Sequence, residues 1–255
     1  MNYSAVILAA GKGVRMHSQM PKVLHRVAGK PMIWYVVKAV KEAGIDDIIL
    51  VVGHGREMVR EALSDEKLRF VVQEEQLGTG HALMQAQGSI DPDNTLVVLA
   101  GDTPLLEGKT LKKLLDFHRQ QQALATVLSA LLPDPFGYGR IIRQADGGLE
   151  RIVEEKDASP EEKEITEINT GMYCFQAGAV FAALSRIERS NVQGEYYLTD
   201  VLPILKTDGH KVAVLATDEV DQIHGINDRI QMAAAETIIR QRHNQELMKN
   251  GVTIL

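Results

Sequence analysis

Cysteine is almost missing from this sequence: Cys174 stands alone among 255 residues. One thiol cannot form an intramolecular disulfide, and a thiolate metal cluster is excluded with it. That usage fits a reducing compartment. An excess of positive charge is also missing, since 28 Lys and Arg face 34 Asp and Glu for a net charge of −6. Recognition of polymer phosphates is therefore not expected as a main role, and nucleic acid is not an expected partner. The eight histidines show no His-Glu-x-x-His or comparable zinc spacing, which turns any search for a metal towards carboxylates and amides. No apolar run reaches membrane-spanning length, and no basic segment with a cleavage site precedes the first strand-like run. The chain reads as cytoplasmic with no membrane partner. Internal repeats and low-complexity tracts are lacking as well.

What the chain does have, from Ala5 to Met16, is a hydrophobic run that leads straight into Gly11-Lys-Gly-Val-Arg15. Gly11 and Gly13 allow a sharp turn and bring backbone N–H groups close to an anionic ligand, while Lys12 and Arg15 add charge. A P-loop is excluded because Gly11-Lys12 is followed by Gly13 instead of Ser or Thr. A dinucleotide fingerprint is excluded because Met16 stands where the third glycine belongs. Taken alone, the loop is equally consistent with a glycine turn leaving a buried strand.

The pattern that follows places this loop. Pro31 suits the first turn of a helix that stops at Gly44, with Met32, Val36, Val37 and Val40 inward and Trp34 as packing. Ile48 to Val52 and Leu96 to Leu99 are continuous apolar runs of the kind buried on both faces of a parallel sheet. A short strand is expected at Phe70 to Val72, and helices at Glu57 to Leu63, His81 to Gln87 and Lys109 to Gln122. Gly11 to Arg15, Gly53 to Gly55, Gln73 to Gly80 and Gly101-Asp102 all fall just past the carboxyl ends of strands. Open α/β sheets bind ligands along that edge. The fold class is α/β: a doubly wound, mostly parallel sheet with a smaller β-rich lobe.

Beyond Ala123 the character changes. Strands are expected at Ala125 to Leu131, Tyr138 to Arg143, Leu149 to Val153 and Asn169 to Phe175, with Asp146-Gly-Gly148 as a hairpin turn. Asp157 to Glu164 reads as a solvated loop. This half is expected to supply a lid and specificity elements. Arg229 to Lys249 reads as one long helix, and Gly251 to Leu255 as the start of a strand with nothing to pair with, as if the chain continued in a longer protein. The expected division is residues 1–228 as one domain and 229–255 as a C-terminal linker helix.

Leu8-Ala-Ala-Gly-Lys-Gly-x-Arg-Met16, Pro21-Lys22-x-Leu24 and Gly101-Asp102-x-Pro104 together resemble the sugar-phosphate nucleotidyltransferases. Gln73-x-x-Gln-Leu-Gly-Thr79, Gly137-Tyr-Gly-Arg-Ile141, Glu154-x-Lys-Asp157, Glu167-Ile-Asn-Thr-Gly171 and Gln193-Gly-Glu-Tyr-Tyr-x-Thr-Asp200 narrow the resemblance. It is then to the N-terminal uridylyltransferase domains of bifunctional bacterial enzymes.

The resemblance implies a magnesium-requiring reaction of UTP with N-acetylglucosamine 1-phosphate that gives UDP-N-acetylglucosamine and pyrophosphate. It assigns the uracil to the backbone of Leu8, Ala9, Ala10 and Gly11 and to the Gln73 side chain, with Gly78 and Thr79 nearby, and counts Gly101 among the substrate-binding residues. Arg15 and Lys22 match the catalytic cations, and Asp102 with Asn227 the metal pair. Gly139, Glu154, Asn169, Tyr197 and Thr199 match the sugar-binding set. Relatives continue into a left-handed β-helix that acetylates glucosamine 1-phosphate and builds a homotrimer; neither that activity nor that assembly surface is expected within these residues.

The physical chemistry agrees with those roles. The nucleophile is a phosphate oxygen already anionic at neutral pH, so positioning and charge stabilisation by Arg, Lys and a metal suffice. Each residue read alone has a plainer alternative: Asp102 as a turn cap before Pro104, Glu154 as solvated surface, Asn169 as a turn residue, Tyr197 as core, Lys12 as solvated. His54 and His81 read as loop hydrogen-bonders. The family pattern is departed from at Ala100, where a larger residue is common, at Phe136, often Thr, and at Glu155, often His. The competing readings are a UDP-glucose or dTDP-glucose type of nucleotidyltransferase and a catalytically silent nucleotide-sugar-binding module.

Overall fold

The structure, a computed structural model, describes residues 2–254. Along the chain it forms β1 (Tyr3–Ala9), a small ribbon of β2 (Arg26–Val27) and β3 (Lys30–Pro31), α1 (Met32–Glu42), β4 (Asp47–Val52), α2 (Arg56–Ala62), β5 (Arg69–Val72) and α3 (Thr79–Met84). Next come β6 (Thr95–Ala100), α4 (Gly108–Gln121), β7 (Ala125–Leu131), β8 (Gly139–Arg143), β9 (Leu149–Val153) and α5 (Pro160–Lys163). The last elements are β10 (Glu167–Gln176), α6 (Ala177–Leu184), α7 (Val201–Thr207), β11 (Val212–Thr217) and α8 (Arg229–Lys249).

The main sheet runs β11-β7-β10-β6-β1-β4-β5. β1 pairs in parallel with β4 and β6, β4 with β5, and β7 with β11. β10 runs antiparallel to both β6 and β7, and the β8–β9 hairpin hangs from it. Two-residue periodicity sorts the central strands onto two cores. Ala5, Ile7, Ala9, Ile48, Leu50 and Val52 join α1 and α4 on one face. Val6, Ala10, Ile49 and Val51 join α3, α6 and α7 on the other. Burial on both faces explains the unbroken aliphatic runs.

Two expectations are corrected. The segment 157–164 is not all loop, because Ser159-Pro-Glu-Glu162 forms a capping box that starts the helical turn α5. Ser before Pro with Glu three residues on is a helix-start signal that outweighs the local charge. No strand forms at 251–254: Gly251 takes φ +92° and the N–H groups of Gly251 and Val252 bond back to Met248 and Leu247, closing α8. Leu255 lies outside the described residues.

α8 begins at Asp228, whose carboxylate accepts hydrogen bonds from the N–H groups of Ile230 and Gln231. Its first half packs Met232, Ala235, Ile238 and Ile239 against Val27, Met32, Leu105 and Ile226. The rest of the helix is mostly exposed.

Candidate functional site

A cleft of about 600 Å³ opens along the carboxyl ends of the central strands and is walled on the far side by the β8–β9 hairpin and the 195–199 segment. Leu8, Ala9, Ala10, Gly11 and Arg15 line it from the first loop. Gly13 shapes that loop, taking φ +61° with Lys22 so close that an added Cβ would sit 2.5 Å from the Lys22 Cβ. Only glycine lets the two backbones approach so closely.

Four residues from three separate stretches of the chain meet at the cleft floor. The Arg15 guanidinium and the Lys22 ammonium both donate to the Asn227 side-chain oxygen, at 2.8 and 2.7 Å. Lys22 also pairs with the Asp102 carboxylate. The Ile226 N–H donates to the Asp102 carbonyl at 2.9 Å, which docks the 225–227 loop against the end of β6. Asp102 and Asn227 thus present two hard oxygens to one cation, the donor chemistry that suits a divalent metal. Among the described residues no three or more His, Cys, Asp or Glu gather into a protein-only cage. Such a pair fits a cation that takes its other ligands from phosphate and water.

The next segment of the wall comes from β5 and α3. Gln73, only 3% exposed, follows β5, where its N–H extends the ladder to Val52 at 2.8 Å. Gly78 takes φ +114°, and a Cβ there would meet the Tyr196 carbonyl at 2.5 Å. Thr79 accepts from the Leu198 N–H at 3.0 Å, so the Gly78-Thr79 corner and the 195–199 segment are clamped together.

Glu154, Asn169, Gly139 and Thr199 form the opposite end. The Thr199 hydroxyl donates to Glu154 at 3.2 Å. Burial raises the Glu154 pKa above the usual carboxylate range, against the lowering effect of that hydrogen bond, and the charges of Asp200 and Asp157 push it the same way. β10 carries a bulge between Asn169 and Tyr173, with Gly171 at φ +75°, and both residues line the cleft. There the Asn169 amide donates to the Tyr173 hydroxyl at 2.7 Å.

Behind this wall lies Arg140, 1% exposed. Its guanidinium pairs with Glu155 at 2.9 Å and donates to the carbonyls of Tyr138 and Lys163. Glu155 in turn accepts from the Gly137 N–H at 3.1 Å. The Glu155 departure is therefore matched to a buried cation that holds the hairpin, the 137–139 turn and α5 together. Ala100 lines the cleft, whereas Phe136 is exposed.

Two expected site residues fall elsewhere. The buried Tyr197 hydroxyl donates to Asp157 at 3.1 Å and accepts from Gln193 at 2.8 Å, facing away from the cleft. The turn Leu198–Asp200 presents Leu198 and Thr199 instead. Gly101 packs against Val23 and the Leu8 carbonyl, closing β6 onto β1 without lining the cavity. Sequence reasoning missed Tyr173, Thr170 and Glu195, and gave no role to Tyr138 or Gln76, although all five line the cleft. The quoted motifs contain each of them except Tyr173, which lay within an expected strand. His81 lies on α3, bonded to Gln73 and Gln85, instead of in a loop; His54 and Lys12 are exposed.

An open α/β sheet with a glycine turn, two converging cations and a hard-oxygen pair at its carboxyl edge defines a transferase that handles nucleoside triphosphates. Residues 5–156, more than half of the chain, match the family described as the MobA-like NTP transferase domain, and the chain belongs to that family. It is 58% identical over all 255 residues to the bifunctional protein GlmU of Syntrophomonas wolfei, spanning 57% of that relative. It is 50% identical over the same length to GlmU of Halalkalibacterium halodurans, spanning 56%. The chain therefore spans somewhat over half the length of these relatives. A crystal structure of a Bacillus anthracis protein named as a glucose-1-phosphate thymidylyltransferase, in complex with sucrose, aligns with a TM-score of 0.77. It covers 93% of this chain and 95% of that one at 22% identity, a likeness of fold.

Proposed function

We propose that this chain transfers uridylyl from UTP to N-acetylglucosamine 1-phosphate, releasing pyrophosphate and forming UDP-N-acetylglucosamine. The observation that carries the reading is the convergence of Arg15, Lys22, Asp102 and Asn227 in the cleft that also holds Gln73 and Glu154. Identity over the whole of this chain to somewhat over half of GlmU supports the choice of substrates.

The sugar-phosphate oxygen attacks the α-phosphorus of UTP while the bond to the β-phosphate breaks, and pyrophosphate leaves with the electron pair. Arg15 and Lys22 bring the two anions together and stabilise the charge on the leaving group, Arg15 by a planar contact and Lys22 as a point charge. Asp102 and Asn227 would hold Mg²⁺, which supplies further charge neutralisation on the phosphates. The backbone of Leu8 to Gly11 with Gln73, Gly78 and Thr79 takes the nucleotide. Gly139, Glu154, Asn169 and Thr199 take the sugar, with buried Glu154 accepting from hydroxyls. The Tyr197 side chain and Gly101 support these neighbours from behind.

In our reading α8 links this domain to a further domain of the full-length protein, on which a homotrimer would be built. A UTP-consuming reaction and a lone buried cysteine suit the cytoplasm. An Asp102→Ala variant tests enzyme against binder. It should lose magnesium-dependent turnover while keeping its fold and its affinity for the sugar nucleotide. Unchanged turnover would overturn the assignment.

A further inference from the structure

The two oxygens that suit a divalent cation come from different parts of the chain. Asp102 stands just past β6, whereas Asn227 belongs to residues 224–227, which lie outside any strand or helix. The Asn227 oxygen can serve a cation beside Asp102 only while that segment is held in place. One hold is the hydrogen bond from the Ile226 N–H to the Asp102 carbonyl, with Gly225 packed so closely that an added Cβ would sit 3.4 Å from the Asp102 carboxylate.

A second hold comes from the far wall of the cleft. His224 Nδ1 lies 3.0 Å from the Tyr138 hydroxyl, and the two rings meet edge to face with centroids 6.4 Å apart and planes at 62°. A hydroxyl both donates and accepts, so this bond forms with either neutral tautomer of His224. Among the described residues it is the one hydrogen bond between residues 137–153 and residues 224–227, and neither side chain has another partner. Burial, and after it the negative charge of Asp102, raise the Tyr138 pKa above its ordinary value, so the phenol keeps its proton at neutral pH.

The tyrosine is the fixed side of this contact. Its N–H donates to the Pro135 carbonyl at 3.2 Å, its carbonyl accepts from the buried Arg140 guanidinium, and the neighbouring Gly137 N–H donates to Glu155 at 3.1 Å. We propose that Tyr138 and His224 are a positioning pair: the anchored tyrosine holds the 224–227 segment through His224 and so keeps the Asn227 oxygen beside Asp102 for one divalent cation. The proposal rests on the reading of Asp102 and Asn227 as a metal pair.

The test is calorimetric titration of Mg²⁺ into protein saturated with UDP-N-acetylglucosamine, for the wild type, Tyr138→Phe, His224→Phe and the double variant. Each phenylalanine keeps the ring contact and removes one partner of the hydrogen bond. Each single variant should bind Mg²⁺ about fivefold more weakly, and the double variant no more weakly than either, because all three lose the same bond. In pyrophosphate release, the magnesium concentration for half-maximal rate should rise about fivefold while kcat at saturating magnesium stays within about twofold, a rescue that general loosening of the fold would not allow. A wild type that binds no Mg²⁺ in this complex would overturn the metal reading and the proposal with it. Magnesium affinity unmoved in both single variants, or losses that add in the double variant, would overturn the pair alone. A loss confined to Tyr138→Phe would do the same, by showing that the hydroxyl serves the ligand directly.

Discussion

Asn227→Ala removes the one oxygen that Arg15 and Lys22 share. Two hydrogen bonds to charged donors are lost, at 2.8 and 2.7 Å, each of a kind worth about 1.5–3 kcal/mol when well buried. Arg15 is exposed, so its contribution is screened and falls to about 1 kcal/mol or less. Lys22 keeps its pairing with Asp102 and is not orphaned. Fold stability should therefore drop by no more than about 1 kcal/mol. Catalysis should suffer more, because the variant also loses one of two hard ligands for the metal and the register of both cations. A combined loss of about 2–3 kcal/mol in transition-state stabilisation corresponds to roughly a 30- to 150-fold fall in kcat. Asn227→Asp, which retains an oxygen at that place, should lose less than about tenfold. Steady-state rates of pyrophosphate release, measured across a magnesium titration, check both variants. A kcat within about threefold of wild type in Asn227→Ala, with the magnesium dependence unmoved, would refute the reasoning.

Three further outcomes follow from the same geometry. Arg140→Met frees the hairpin, the 137–139 turn and α5 from one another, and should raise KM for the sugar phosphate about tenfold while KM for UTP stays within about twofold, as initial-rate kinetics would show. Glu154→Gln should weaken sugar-phosphate binding; because burial raises the pKa of that carboxyl, wild-type sugar affinity should fall at a higher pH than an ordinary glutamate would give as acid is added, and the variant should lack that step in a calorimetric titration. His118 is buried against the Thr126 hydroxyl, and burial lowers its pKa from 6.5 to about 4. Its neutral form stabilises the fold fully above pH 6.5, and that stability is lost as pH falls towards 4. The loss amounts to about 3 kcal/mol between pH 7 and pH 4, and denaturant titrations at the two pH values should show wild type losing more unfolding free energy than His118→Gln by about that amount.

Much of the sheet was legible because strands buried on both faces carry unbroken aliphatic runs, as Asp47–Val52 and Thr95–Ala100 do. The reversed direction of β10 was not, since strand orientation is set by pairing partners and leaves no local mark. α6 escaped notice because Ala-Gly-Ala-Val-Phe-Ala-Ala-Leu is apolar all round and shows no 3.6-residue stripe. α7 contains Pro203 in its first turn, where a proline is tolerated but reads as a break. β11 follows directly on a glycine turn and is only half-buried.

Arg15, Lys22 and Asp102 could be read because each sits in a short motif in a segment that follows a central strand, whereas Asn227, which lies between β11 and α8, rested on the family resemblance. Tyr197 does not line the cleft, because its side chain, just before the turn Leu198–Asp200, bonds Asp157 and Gln193. Tyr173 was missed because it is 4% exposed within an apolar strand run and reads as core.

The most direct test of the central claim is pyrophosphate release from UTP and N-acetylglucosamine 1-phosphate with and without Mg²⁺, beside reactions that substitute glucose 1-phosphate or dTTP. Release that requires magnesium and is fastest with the first pair is the predicted result. Equal or faster release with another pair, or none with any, would contradict it.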